Sequence, residues 1–189
     1  MLKPNPENPI LVKSAVLVDD RGTFSPTPIV FSHNHPLHLR KDWLQTNVSI
    51  NPKPYTFRGL HFQDPYPQSK LIKVIQGKIV DFVIDIRANG ILKFSKWEMN
   101  AGDMLYVPKG FAHGFFTLQP YTVVQYLVDE DYRPDYEDAI AWDSVEWIYQ
   151  EVKSRMDSGF KGNISIADKD RNAKTLEQYL QEPNKYEND

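Results

Sequence analysis

The sequence predicts an all-β domain, an antiparallel sandwich or barrel with short helices at its C-terminal end, and three observations carry that prediction. Fourteen prolines and nine glycines lie scattered between short apolar runs, which argues against long helices. From Leu44 to Val128, β-branched and aromatic residues dominate and turn signals recur at short intervals. Beyond Asp143 the apolar spacing changes from strand-like to helical.

Taken in order, residues 1–43 form an N-terminal arm with the first strands, 44–143 the barrel core, and 144–189 the C-terminal helices and tail of one domain. Strands are expected over 72–76, 78–86, 104–107 and 122–128. Gln76-Gly77, Asn89-Gly90, Asn100-Ala101-Gly102-Asp103 and Gln119-Pro120 bound them, with two hairpins among the connections. Alternation over 78–85 is imperfect, as in a strand buried on much of both faces. Val145, Ile148, Tyr149 and Val152 fall at helical spacing within 144–156, with Asp143 or Ser144 as N-cap. A second short helix is expected over 171–180, followed by a polar, frayed end.

Composition narrows the function. The 189 residues weigh 22.0 kDa, enough for one self-supporting core. Lysine and arginine number 22 against 25 acidic residues, so the net charge of −3 gives no footprint for nucleic acid or an anionic membrane. The absence of cysteine excludes disulfides, thiolate metal sites, Fe–S clusters and cysteine nucleophiles. No apolar run approaches the roughly 18 residues of a membrane span. MLKPNPENPI lacks the apolar centre of a signal peptide, and a cytoplasmic protein is the expectation.

Two segments concentrate the chemistry. Residues 102–117, GDMLYVPKGFAHGFFT, place Gly102, Pro108, Gly110 and His113 as in the second cupin motif, with Thr117 replacing its final Asn. Residues 58–77, RGLHFQDPYPQSKLIKVIQG, resemble the first cupin motif, in which the metal-cage positions hold His61, Gln63 and Lys70 before Gly77. A cation needs electron-pair donors. The Lys70 ammonium cannot ligate while charged, and Gln63 is a weak ligand. The cage has become a site for anions, and metal-dependent oxygenase chemistry is disfavoured.

The chain resembles the dTDP-4-dehydrorhamnose 3,5-epimerase family, a metal-free branch of the cupins. The likeness runs in consistent order through DRGTF (20–24), QTNVS (45–49), RGLHFQ (58–63), QSKL (68–71), VDFVIDIR (80–87), VPKGFAHGF (107–115), Tyr126, YRPDYE (132–137), Trp142-Asp143 and DKD (168–170). It implies a cupin-type double-stranded β-helix, or jelly-roll, barrel that needs no cofactor and works as a homodimer, its N-terminal arm crossing to a partner. It implies inversion of the carbons flanking the ketone of a nucleotide-linked 4-keto-6-deoxy sugar, which calls for a base, an acid on the opposite face, and a cation at the enolate oxygen. By the resemblance His61 is the base, Asp170 its orienting carboxylate, Tyr126 the acid and Lys70 the enolate-stabilising cation. Arg21, Arg58 and His113 are candidates for phosphates or sugar hydroxyls. By the same resemblance Gln45, Asn47 and Glu137 line the substrate site, and Phe24 lies near the nucleotide.

Competing readings stand beside these. Tyr132 rivals Tyr126, and Asp168 rivals Asp170. A one-carbon epimerase, a keto-isomerase, an enzyme for GDP-linked keto-heptoses and a non-catalytic sugar-nucleotide binder share much of the pattern. His33, His35 and His38 form a His-x-His-x2-His run, broken by Pro36 and read as a solvated loop rather than a zinc site. Pro26 replaces a frequent glutamate, residues 89–94 form a turn one residue longer than the family's, and residues 150–162 form an unusual insert.

Overall fold

The computed structural model describes residues 6–13, 17–20, 22–24, 43–87, 92–156 and 162–182, with residues 19 and 22–24 as backbone alone. Arg21, Pro26, the His33/His35/His38 run and Asn89-Gly90 therefore lie outside the described residues, as does most of the polar C-terminal end.

Two five-stranded antiparallel sheets face each other. One holds β1 (Ile10–Val12), β9 (Met104–Val107), β6 (Lys70–Gln76), β11 (Thr122–Val128) and β4 (Gln45–Asn51), in that order. The other holds β12 (Glu137–Ala139), β5 (Phe57–Gln63), β10 (Phe111–Thr117), β7 (Lys78–Asp85) and β8 (Lys93–Asn100). A small ribbon pairs β2 (Leu17–Asp19) with β3 (Gly22–Phe24). The fold is an all-β jelly roll, as expected, and the strands expected over 104–107 and 122–128 match β9 and β11 residue for residue.

The connections behave differently from simple hairpins. Gly77, Asn100–Asp103 and Gln119-Pro120 each carry the chain from one sheet to the other, whereas β7 and β8, which flank Asn89-Gly90, pair directly. A turn signal shows where a strand stops. Which sheet the next strand joins is set by what covers its apolar face.

That cover explains β7. Val80, Phe82 and Ile84 point to an outer core with Phe57, Leu60, Phe62, Trp142, Val145, Ile148 and Val152, while Ile79 and Val83 point between the sheets. Each such side chain contributes about 1.5–3 kcal/mol when fully buried, so the strand is fixed from both faces.

The helix α1 (Glu146–Met156) supplies much of the outer cover. Its expected caps do other work. The Ser144 hydroxyl donates to the Ala141 carbonyl at 2.6 Å and accepts from the Leu176 amide at 2.9 Å, and Val145 offers the carbonyl that takes the Tyr149 N–H at 3.0 Å. The short helix expected over 171–180 starts later, as α3 (Leu176–Gln181), and a separate single turn, α2 (Asp168–Arg171), precedes it. Thr175 splits them, because its hydroxyl and the Gln178 side chain form a reciprocal capping box that starts a new helix.

Candidate active site

A cavity of about 580 Å³ opens between the sheets. The first sheet lines it with Gln45, Asn47 and Ser49 of β4, Lys70 of β6, and Val124, Tyr126 and Val128 of β11. The second contributes Arg58, His61 and Gln63 of β5 and His113 of β10, and α2 closes one end with Lys169 and Asp170.

A bulge sets the β5 face. His61 opposes His113 and Arg58 opposes Phe115, so three steps along β5 (58 to 61) match two along β10 (113 to 115). Side chains an odd number of residues apart normally face opposite ways. The extra residue at Gly59 brings Arg58 onto the same face as His61 and Gln63. Gly59 has φ +116°, and a Cβ there would meet the Gly114 Cα at 2.6 Å, so the two backbones touch where only glycine fits.

Asp170 is brought to His61 across 109 positions of chain, its Oδ1 lying 2.6 Å from His61 Nε2 and its Oδ2 taking the Gly59 N–H at 3.3 Å. Burial would raise the Asp170 pKa, but the His61 hydrogen bond and charge, the Gly59 amide and Lys169 outweigh it, and the pKa falls below the ordinary value. Asp168, two residues earlier on the same short helix, is exposed. A carboxylate held against one ring nitrogen in this way fixes the imidazole's orientation and tautomer.

Lys70 is buried at 8% exposure and donates to the His61 carbonyl at 3.2 Å. Desolvation lowers its pKa from 10.5 to about 8, against the upward pull of Glu137 and Asp81. Tyr126 stands on the opposite sheet from His61 and opposite Asn47 in register. Burial raises its phenol pKa, helped by Glu137 and opposed by Arg58 and Lys169. Tyr132 also borders the cavity but is half exposed, its hydroxyl donating to Glu137 at 3.0 Å. Burial would raise the Glu137 pKa, yet Lys169, His61 and Tyr132 together draw it down.

Arg58 is steered by Asn51, whose Oδ1 accepts its Nε–H at 2.8 Å. Gln45 donates to Asn47 at 2.6 Å within the same cavity wall. His113 is buried and its Nε2 lies 2.8 Å from Asp81 Oδ2. Burial raises the Asp81 pKa, against His113 and Lys70. Of the remaining expected residues, Phe24 lies on β3 opposite Leu17, its side chain outside the described residues, as is all of Arg21.

The structure thus gathers His61, Lys70, Tyr126, Asp170, Gln45, Asn47, Arg58, His113 and Glu137 around one cavity. Residue patterns did not single out Asp81, Ser49, Gln68 or Lys169. Asp81 pairs diagonally across β7 and β10, which leaves no local signal. Ser49 could have been found, because it continues the every-second-residue row of Gln45 and Asn47. Among the described residues no three His, Asp or Glu side chains gather as a donor set for a cation.

Residues 7–178 match the family described as dTDP-4-dehydrorhamnose 3,5-epimerase. The chain is 32% identical over 187 residues to a protein of that name from Methanothermobacter thermautotrophicus, covering 93% of each. It is 32% identical over 151 residues to one from Escherichia coli, covering 75% of this chain and 80% of the relative. A crystal structure of dTDP-4-dehydrorhamnose 3,5-epimerase from Bacillus anthracis with TDP and PPi bound superposes with a TM-score of 0.72 at 33% identity, covering 93% of this chain and 98% of that one. With nearly the whole chain matched in sequence and in fold, this protein belongs to the dTDP-4-dehydrorhamnose 3,5-epimerase family.

Proposed function

We propose that this chain inverts C3, C5 or both in dTDP-4-dehydro-6-deoxy-glucose, inversion of both giving dTDP-4-dehydrorhamnose, by removing and returning a proton beside the ketone. The observation that carries the reading is the His61–Asp170 pair at one side of a single cavity, with Tyr126 and Lys70 on the facing sheet. Asp170 takes the Nε2–H of His61, which leaves the lone pair of Nδ1 as the base. His61 removes the proton from the carbon next to the carbonyl, and the electron pair moves onto the carbonyl oxygen. The Lys70 ammonium stabilises the resulting enolate, a contribution on the order of 10² to 10³ in rate for one such donor. Tyr126 delivers a proton to the other face, and the configuration inverts. Solvent takes the proton from His61 and restores that of Tyr126, so the cycle balances without a redox step or cofactor.

Arg58 and His113, with Arg21, serve the diphosphate in this reading; Gln45, Asn47 and Glu137 meet the sugar, and Phe24 lies by the nucleotide. A homodimer belongs to the same proposal, supported by the outward apolar face of the edge strand β4, where Val48 and Ile50 are 58% and 63% exposed. A cytoplasmic site of action also belongs to it, resting on the nucleotide-linked substrate.

Proton NMR in deuterated buffer tests the chemistry. The H3 and H5 signals of dTDP-4-dehydro-6-deoxy-glucose should vanish with the protein present, and His61→Ala should stop the exchange while dTDP still binds. Loss of one signal would make the chain a one-carbon epimerase. Binding without any exchange would overturn the epimerase reading in favour of a binding protein.

A further inference from the structure

The reaction above leaves Gln63 without a part, although it stands in the row that holds the base. Gln63 follows His61 by two residues on β5 and is buried at 4% exposure. Its amide points at backbone rather than at the centre of the cavity. Nε2 donates to the Tyr66 carbonyl at 2.7 Å and to the Asp131 carbonyl at 3.0 Å, and Oε1 accepts the Arg133 N–H at 2.8 Å. Both amide protons and the amide oxygen are used, on chain up to 70 positions away.

Two of those bonds grip the residues on either side of Tyr132. That tyrosine borders the cavity at 50% exposure, on a connection between β11 and β12 where no sheet ladder holds it. Its hydroxyl bonds to Glu137, which is the register partner of Gln63 on β12 and also takes the Lys169 ammonium at 2.9 Å. The third Gln63 bond holds Tyr66, and the Arg133 guanidinium lies 4.0 Å over the Tyr66 ring. One buried amide therefore ties two connections to each other and to β5. A loop is placed by its anchors, and a fully satisfied buried polar group is a rigid anchor.

We propose that Gln63 is a positioning residue for this reaction: its side-chain amide clamps residues 131–133 against β5 and so holds Tyr132 at the mouth of the cavity for the nucleotide sugar. The proposal rests on the epimerase reading for its substrate, but the clamp itself can be measured without one.

Two variants separate the clamp from general damage. Gln63→Leu removes all three bonds. Gln63→Glu keeps the size and the acceptor for the Arg133 N–H, but loses both donors and sets a carboxylate oxygen against two carbonyls. In Gln63→Leu the Arg133 amide should exchange with deuterium at least about tenfold faster, as a lost buried bond implies. Both variants should raise KM for dTDP-4-dehydro-6-deoxy-glucose by about tenfold, with a smaller change in kcat. Tyr132→Ala should raise KM similarly, and adding either Gln63 change to it should have little further effect. An Arg133 amide that exchanges at the same rate in wild type and Gln63→Leu would overturn the clamp. Additive effects of the Gln63 and Tyr132 changes would overturn its route through Tyr132. If wild type failed to turn the sugar over, the epimerase reading would fall, and the Arg133 exchange rate would still decide the clamp; should Gln63→Leu not fold, the cycle on Gln63→Glu decides instead.

Discussion

Burial lowers the Lys70 pKa from 10.5 to about 8, and that shift works against stability while serving the proposed chemistry. The unfolded chain keeps this proton up to about 10.5, whereas the folded chain releases it near 8. Between those values the unfolded state binds more protons, so stability rises with pH across that window. Below it both states hold the proton and the full penalty is present, on the order of 3 kcal/mol for a shift of this size. Lys70→Met removes the buried charge and is expected to stabilise the protein at pH 7 by about 1–3 kcal/mol, while turnover falls about 10² to 10³. Thermal melting and kcat measured together check this; a variant both less stable and fully active would contradict it. In the wild type kcat/KM should fall on the alkaline side near pH 8, where Lys70 loses its charge. At this scale the sequence was already informative: its motifs placed Lys70 and His61 together, and both line the cavity. The partner of His61 was legible only down to the choice between Asp168 and Asp170, since two aspartates two residues apart on a short helix differ in burial, not in pattern.

At the scale of elements, the crossing of β5 and β10 decides what enters the cavity. The bulge at Gly59 adds one residue to β5, and a Cβ at Gly114 would stand 2.6 Å from the Arg58 carbonyl oxygen. Gly114→Ala therefore has to push the strands apart, at about 1–3 kcal/mol or more for overpacking of this kind. The expected results are a lower melting temperature and weaker dTDP binding, because the displaced backbone carries Arg58. Unchanged melting and unchanged titration with dTDP would show that the crossing tolerates the methyl group. Simple alternation along β5 would put Arg58 and His61 on opposite faces, and only the bulge reconciles them. Apolar runs located β9 and β11 correctly, because their composition and bounding turns are local properties. The start of α3 was also local, written in the capping box of Thr175 and Gln178.

For the whole molecule, β4 poses the question of a partner. The strand turns Gln45, Asn47 and Ser49 into the cavity and leaves Val48 and Ile50 facing outward at the edge of its sheet. An apolar outer face beside a polar inner one reverses the usual arrangement, and it fits a surface covered by a second copy. Light scattering should give a mass twice the 22.0 kDa chain, falling to one chain in Val48→Glu/Ile50→Glu. A wild-type mass of 22.0 kDa would remove the homodimer from the proposal.

By itself the sequence determined the strand-rich class and the sites where strands end, because composition and turn chemistry are carried by neighbours in the chain, and its motifs pointed to nine of the residues that line the cavity. Tertiary structure alone decided which strands share a sheet, that Arg58 turns inward beside His61, that Asp170 rather than Asp168 holds the imidazole, and that Gln63 grips the chain around Tyr132. Each of these depends on contacts between segments tens of residues apart, whose free energy comes from packing and from satisfying buried polar groups. No local pattern records which distant group a side chain will meet.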